Sequence, residues 1–135
     1  MAMATQSMTM THSEDPKDVL WRELGKQAAI VHPIGAQVLI GVYQRPEKTA
    51  GGIILTEKSK DEDMWQGKVG LIMDMGPLAF TEDETHTWGC RRPAIGDWVV
   101  FRTGDTLGAL AGKRMLRFLD ENAIRAIIDH PDALY

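Results

Sequence analysis

Two hydrophobic periods divide the chain. Leu20, Leu24 and Ala28 recur at intervals of four, with Val19 and Trp21 beside them, behind Asp15, Pro16 and Asp18. An aspartate N-cap, a proline at the first helical position and an acid in the first turn together signal a helix start. Gly25 is expected to end this helix early or weaken it, since glycine costs about 1 kcal/mol in a helix interior. The helix either packs on its own domain or docks Trp21 and Leu24 onto a neighbouring subunit, and the residues leave both open. Ahead of it, Met1–Ser13 is rich in Met, Thr, Ser and Ala without a period. It is expected to be mobile unless a partner orders it.

From Pro33 onward the period falls to two. Gln37–Tyr43 alternates around Val38, Ile40 and Val42, and Gly67–Met73 around Val69, Leu71 and Met73. Trp98–Phe101 is a short continuous apolar run, and Met115–Leu119 and Ala123–Ile128 supply two more strands. Turn formers separate them: Gly51-Gly52, Gly76-Pro77, Gly89, Gly96-Asp97, Gly104-Asp105, Gly112 and Asp120–Asn122. Short strands with glycine punctuation predict an all-β fold, a small barrel or sandwich. Two connections, Glu47–Gln66 and Pro77–Ala94, are long for such a domain, and connections of that length usually carry function.

Composition narrows the classes. A chain of 135 residues suits one domain, or one domain plus an arm. Fifteen Lys and Arg against nineteen Asp and Glu give a net charge of −4, the wrong sign for a general nucleic-acid binder. Neither a membrane span nor a secretory signal is evident, which makes a cytoplasmic protein the expectation. The single cysteine, Cys90, excludes an internal disulfide and any multi-thiolate metal site. His86 lies four residues before Cys90, but the segment is not helical, so no metal site is expected there. Cys90 has no histidine–acid arrangement that would make it a nucleophile, and the chain carries no dinucleotide fingerprint; no enzyme is expected.

The first long connection holds an apolar triplet, Ile53, Ile54 and Leu55, between Gly51-Gly52 and the charged run Glu57–Asp63. Three consecutive aliphatics cannot all face one core from a strand, because side chains alternate. Part of the triplet is therefore exposed for a partner, or else Gly51-Gly52 is simply a hairpin turn leading into a strand.

Thr49–Thr56 closely resembles the mobile-loop motif of the GroES-type co-chaperonins, the chaperonin-10 family. Other landmarks follow in the family's order: Pro33-Ile34 with Gln37–Ile40, Gly67–Val69, Ile95–Phe101 and Met115–Ile128. The resemblance implies an irregular GroES-type β-barrel over 33–135, with a mobile loop at 47–66 and a roof hairpin at 77–94. Residues 1–32 form an N-terminal extension with a short helix. It further implies a homo-oligomer, a seven-membered ring, that caps a GroEL-type chaperonin and encloses a folding client. Ile53, Ile54 and Leu55 would enter an apolar groove of the partner, while Gly51 and Gly52 give the loop its conformational freedom. No cofactor is implied for this chain, since ATP is bound by the chaperonin. In the family, the first and last strands of adjacent subunits pair, which implicates Val38, Ile40, Ile124 and Ile128.

At the roof, Glu82, Asp83 and Glu84 either line a central orifice or form a solvated hairpin tip. The chain departs from the family in its first 32 residues, in a long aromatic roof, and in Gly35-Ala36-Gln37, where an acid is usual. Such divergence resembles versions encoded by bacteriophages, for which the location would be the host cytoplasm. The alternative function is a virion or assembly structural protein that reuses the barrel without binding a chaperonin.

Overall fold

Asp15 begins the first element by accepting a hydrogen bond from the Lys17 amide at 2.9 Å, with Pro16 in the first turn. In the computed structural model, which describes residues 12–45, 64–82, 87–89 and 91–134, helix α1 runs Pro16–Ile30. Gly25 neither ends nor breaks it. The helix continues because Leu24 and Ala28, on either side of Gly25, are buried against the sheet. That burial outweighs a glycine penalty of about 1 kcal/mol. The helix stops where Val31 turns extended, two residues before Pro33, whose ring disfavours helical backbone in the residue ahead of it. Of the two readings open for α1, packing on its own domain is the one observed.

Six strands follow: β1 Gln37–Val42, β2 Val69–Met75, β3 Trp98–Phe101, β4 Thr106–Ala111, β5 Arg114–Asp120 and β6 Ile124–Ile128. They form one antiparallel sheet in the order β4-β5-β1-β2-β3-β6. The fold is thus mostly β with an N-terminal helix, as expected, but β4 and β6 do not pair, so the barrel is not closed. The β4 strand lies where the sequence suggests only turns. Its four central residues are exposed, so no buried stripe marks it, and it is held by the hairpin to β5. Gly112, with φ 64°, supplies the left-handed first position that a tight hairpin turn needs.

Two cores line the two faces of the sheet. Leu39 and Tyr43 belong with Leu20, Leu24, Leu71, Met73 and Trp98 on the helix side. Val38, Ile40 and Val42 belong with Ile72, Val99, Phe101, Met115 and Leu119 on the other. Every residue from Val38 to Val42 is therefore buried, although the side chains alternate. Gly41 is a close approach on the helix side: an added Cβ would sit 2.8 Å from Met73 Sδ and 3.2 Å from Leu24 Cδ1.

Candidate functional site

The two long connections leave opposite ends of β2. The first joins the end of β1 to the start of β2, and the second joins the end of β2 to β3. Gly51, Gly52, Ile53, Ile54 and Leu55 fall within residues 46–63, outside the described residues. Both roots of that connection are described, and both are fixed by the sheet.

At the first root, Val42 pairs with Gly70, and the Tyr43 amide donates to the Val69 carbonyl at 2.9 Å. Tyr43 itself is 2% exposed and packs edge-on against Trp98, with ring centroids 5.7 Å apart. Its hydroxyl donates to Asp132, beyond the last strand. At the second root, Met64–Gln66 has helical backbone and Gly67 is buried. Three bonds pin it: Arg117 Nη2 to the Trp65 carbonyl at 2.8 Å, Thr103 Oγ1 to the Gly67 carbonyl at 2.9 Å, and the Phe101 amide to the Lys68 carbonyl at 2.9 Å. The two roots thus leave neighbouring central strands about 5 Å apart. A connection of this kind has rigid ends whatever its middle does.

Arg117 is the unusual member of this frame. It is 6% exposed on β5, opposite Ile40, and its Nη1 donates to Thr106 Oγ1 at 2.8 Å. Its Nε has no hydrogen-bond partner among the described residues. Burial lowers its pKa from the ordinary arginine value. Gly108 on β4 makes room for it, since a Cβ there would come within 3.2 Å of Arg117 Nη1.

The second connection is anchored by aromatic packing. Phe80 is buried in the left-handed region, with φ 56°, and meets Trp88 edge-on at 5.3 Å. Trp88 Nε1 donates to the Thr81 carbonyl at 3.2 Å, and Arg92 Nη1 to the Phe80 carbonyl at 3.1 Å. Glu82 is exposed, and its Oε1 accepts from the Trp88 amide at 3.3 Å. Asp83, Glu84, His86 and Cys90 lie outside the described residues.

The expected interface residues separate into two kinds. Val38 and Ile40 are fully buried, and β1 is bonded on both edges, to β2 and β5. Both edges of that strand are therefore engaged within the chain. Ile124 and Ile128 lie half-buried on β6, whose outer edge pairs with no other strand among the described residues. Ile30 and Ile34, exposed at 76% and 77%, flank the turn into β1 and carry no periodic signal that would mark them. Tyr43 and Arg117 also escape the sequence reading; the one available clue is an arginine interrupting the apolar run Met115–Leu119.

A family model described as the chaperonin 10 kDa subunit matches residues 30–128. The matched span starts at the last residue of α1 and covers all six strands, both long connections included.

Proposed function

Because the chain belongs to the chaperonin 10 family, a co-chaperonin function with a GroEL-type chaperonin as partner is supported, and we propose that the contact is made by the connection between β1 and β2. In this reading Ile53, Ile54 and Leu55 enter an apolar groove on the chaperonin, and Gly51 and Gly52 let the backbone turn into it. The observation that supports the reading is the pair of pinned roots at Tyr43 and Trp65, which fixes both ends of the connection whose sequence contains the aliphatic triplet.

The energetics fit a reversible lid. Ordering a loop residue costs about 1–2 kcal/mol of backbone entropy. Burying three aliphatic side chains returns about 1.5–3 kcal/mol each. One loop is therefore marginal, whereas several loops on one ring bind by avidity and still release when each site weakens slightly. We assign the ring seven copies, closed by a repeated head-to-tail contact. On each copy that contact includes the outer edge of β6, with Ile124 and Ile128. Glu82 and its acidic neighbours then belong to the roof, at the other end of β2.

The test is nucleotide-dependent capture by an immobilised GroEL-type chaperonin. Wild type is expected to be retained with ATP or ADP and lost without nucleotide, and Ile54→Asp is expected not to be retained although its melting curve is unchanged. Equal retention of both proteins sinks the assignment. Mass photometry reports the ring, and a monomer at micromolar concentration removes the avidity argument.

A further inference from the structure

His12 and Asp132 lie 120 positions apart in sequence and 2.9 Å apart in space, Nε2 against Oδ2. His130 joins them, with its Nδ1 3.7 Å from the same oxygen and its ring centroid 5.8 Å from that of His12. One donor atom from each of the three residues falls within 4.8 Å of the other two. The local fold explains the convergence. Pro131 starts a short 3-10 turn, Pro131–Ala133, in which His130 Nδ1 accepts from the Asp132 amide at 3.1 Å. That cap brings the side chains at 130 and 132 to one side. The second oxygen of Asp132, Oδ1, accepts from the buried Tyr43 hydroxyl, which also stands 3.3 Å from His12 Nε2.

We propose that His12, His130 and Asp132 form a binding site for a divalent transition metal of the zinc(II) class, which fastens the segment ahead of α1 to the turn after β6. The donor set is the first argument. Two imidazole nitrogens and one carboxylate oxygen suit zinc, copper or nickel, whereas magnesium and calcium require mostly oxygen ligands. Geometry is the second. Zinc with bonds near 2.0–2.2 Å in a tetrahedral shell places neighbouring donors about 3.3 Å apart. The observed separations of 2.9 and 3.7 Å straddle that value. The third argument is the outer shell: Tyr43 holds Oδ1 and so turns Oδ2 toward both imidazoles, the arrangement that orients a ligating carboxylate. The side chain of His130 is 55% exposed, so solvent can reach the cluster and supply a fourth ligand.

Binding has defined chemical consequences. Each imidazole coordinates as the neutral form through one lone pair, so any proton held there is released. Coordination by His130 replaces its bond to the Asp132 amide, because a neutral imidazole cannot accept there and ligate the metal as well. Tyr43 sits immediately after β1, so the metal would stiffen the first root of the aliphatic connection as well as join the two ends of the described chain.

Untagged full-length protein, stripped with EDTA, is titrated with zinc(II) by calorimetry and with cobalt(II) by visible absorption. One equivalent is expected to bind, with the d–d bands of low-coordinate cobalt and a melting temperature that rises with zinc and falls back on chelation. His12→Gln keeps a hydrogen bond to Asp132, and His130→Asn keeps the cap on the Asp132 amide, so both variants retain the fold. Each is expected to lose about tenfold or more in zinc affinity, and Tyr43→Phe a similar amount through the outer shell. His32→Ala, exposed and outside the cluster, is expected to bind as wild type. A wild-type melting temperature indifferent to zinc overturns the site, as does zinc affinity undiminished in both His12→Gln and His130→Asn.

Discussion

The guanidinium of Arg117 reaches across from β5 to hold the Trp65 carbonyl, Nη2 to oxygen at 2.8 Å. This single bond ties a buried strand residue to the last turn before β2, and therefore to the end of the connection that carries the aliphatic triplet. The cost of burying a cation and the gain from its two bonds oppose each other. Desolvating a charge costs several kcal/mol, and each bond from a charged donor returns about 1.5–3 kcal/mol. Arg117→Met is accordingly expected to change global stability by less than about 1.5 kcal/mol, because an apolar chain of similar length fills the site. The root at Trp65 and Gly67 should loosen all the same. Hydrogen exchange of a peptide covering 64–69 is expected to accelerate in the variant, and chaperonin capture to weaken, since more residues must then be ordered on binding. Unchanged exchange there would show that Thr103 and Phe101 alone hold the root.

Two glycines in the central strands separate a hard contact from a soft one. A Cβ on Gly70 would meet Ile40 Cγ2 at 2.2 Å and the Gly41 carbonyl oxygen at 2.9 Å. Neither can yield, since one is a branched side chain in a packed core and the other is backbone. A Cβ on Gly41 would meet the flexible Met73 side chain at 2.8 Å, which can rotate away. Overpacking costs typically about 1–3 kcal/mol, so Gly70→Ala is expected at the top of that range or beyond it and Gly41→Ala near the bottom. Urea denaturation of the two variants orders them, and the reverse order contradicts the packing described for β1.

Local chemistry was the legible part of this fold. The Asp15-Pro16 signal placed the start of α1 because a cap is made by residues that are neighbours in sequence. Gly25 does not end α1 early, because the burial of Ala28 against the sheet is decided by distant residues. Likewise β4 lacks a buried face, so its sequence resembles a turn region and only pairing with β5 makes it a strand. Strand order was equally hidden. The first strand in sequence, β1, sits between β5 and β2, which no local pattern announces. The motif Gly51–Leu55 stands out in the sequence as a unit because its residues are consecutive. The pairing of His12 with Asp132 does not, since it joins positions 120 apart.

The link between α1 and the sheet has an electrostatic part with a testable pH dependence. Arg114 grips Glu23 with Nε on Oε1 and Nη2 on Oε2, both at 3.1 Å. The hydrogen bond from Arg114 lowers the Glu23 pKa below its ordinary value of 4.5. A carboxylate with a depressed folded-state pKa stabilises the fold above its unfolded pKa. That contribution disappears as pH falls through the folded value. Stability is therefore expected to hold from neutral pH down to about pH 5 and then to decline as Glu23 becomes protonated. The Glu23 side chain is 39% exposed, so screening limits the pair to about 0.2–1 kcal/mol even with bidentate geometry. Glu23→Gln should lower stability at pH 7 by that amount and converge on wild type as pH falls through the lowered folded-state pKa, below which the carboxyl is neutral in both states. Urea midpoints across this range measure the convergence, and added salt should narrow the gap at pH 7. A constant difference between the two proteins from pH 7 to below that pKa would mean that Glu23 contributes by packing on Arg114 rather than by charge.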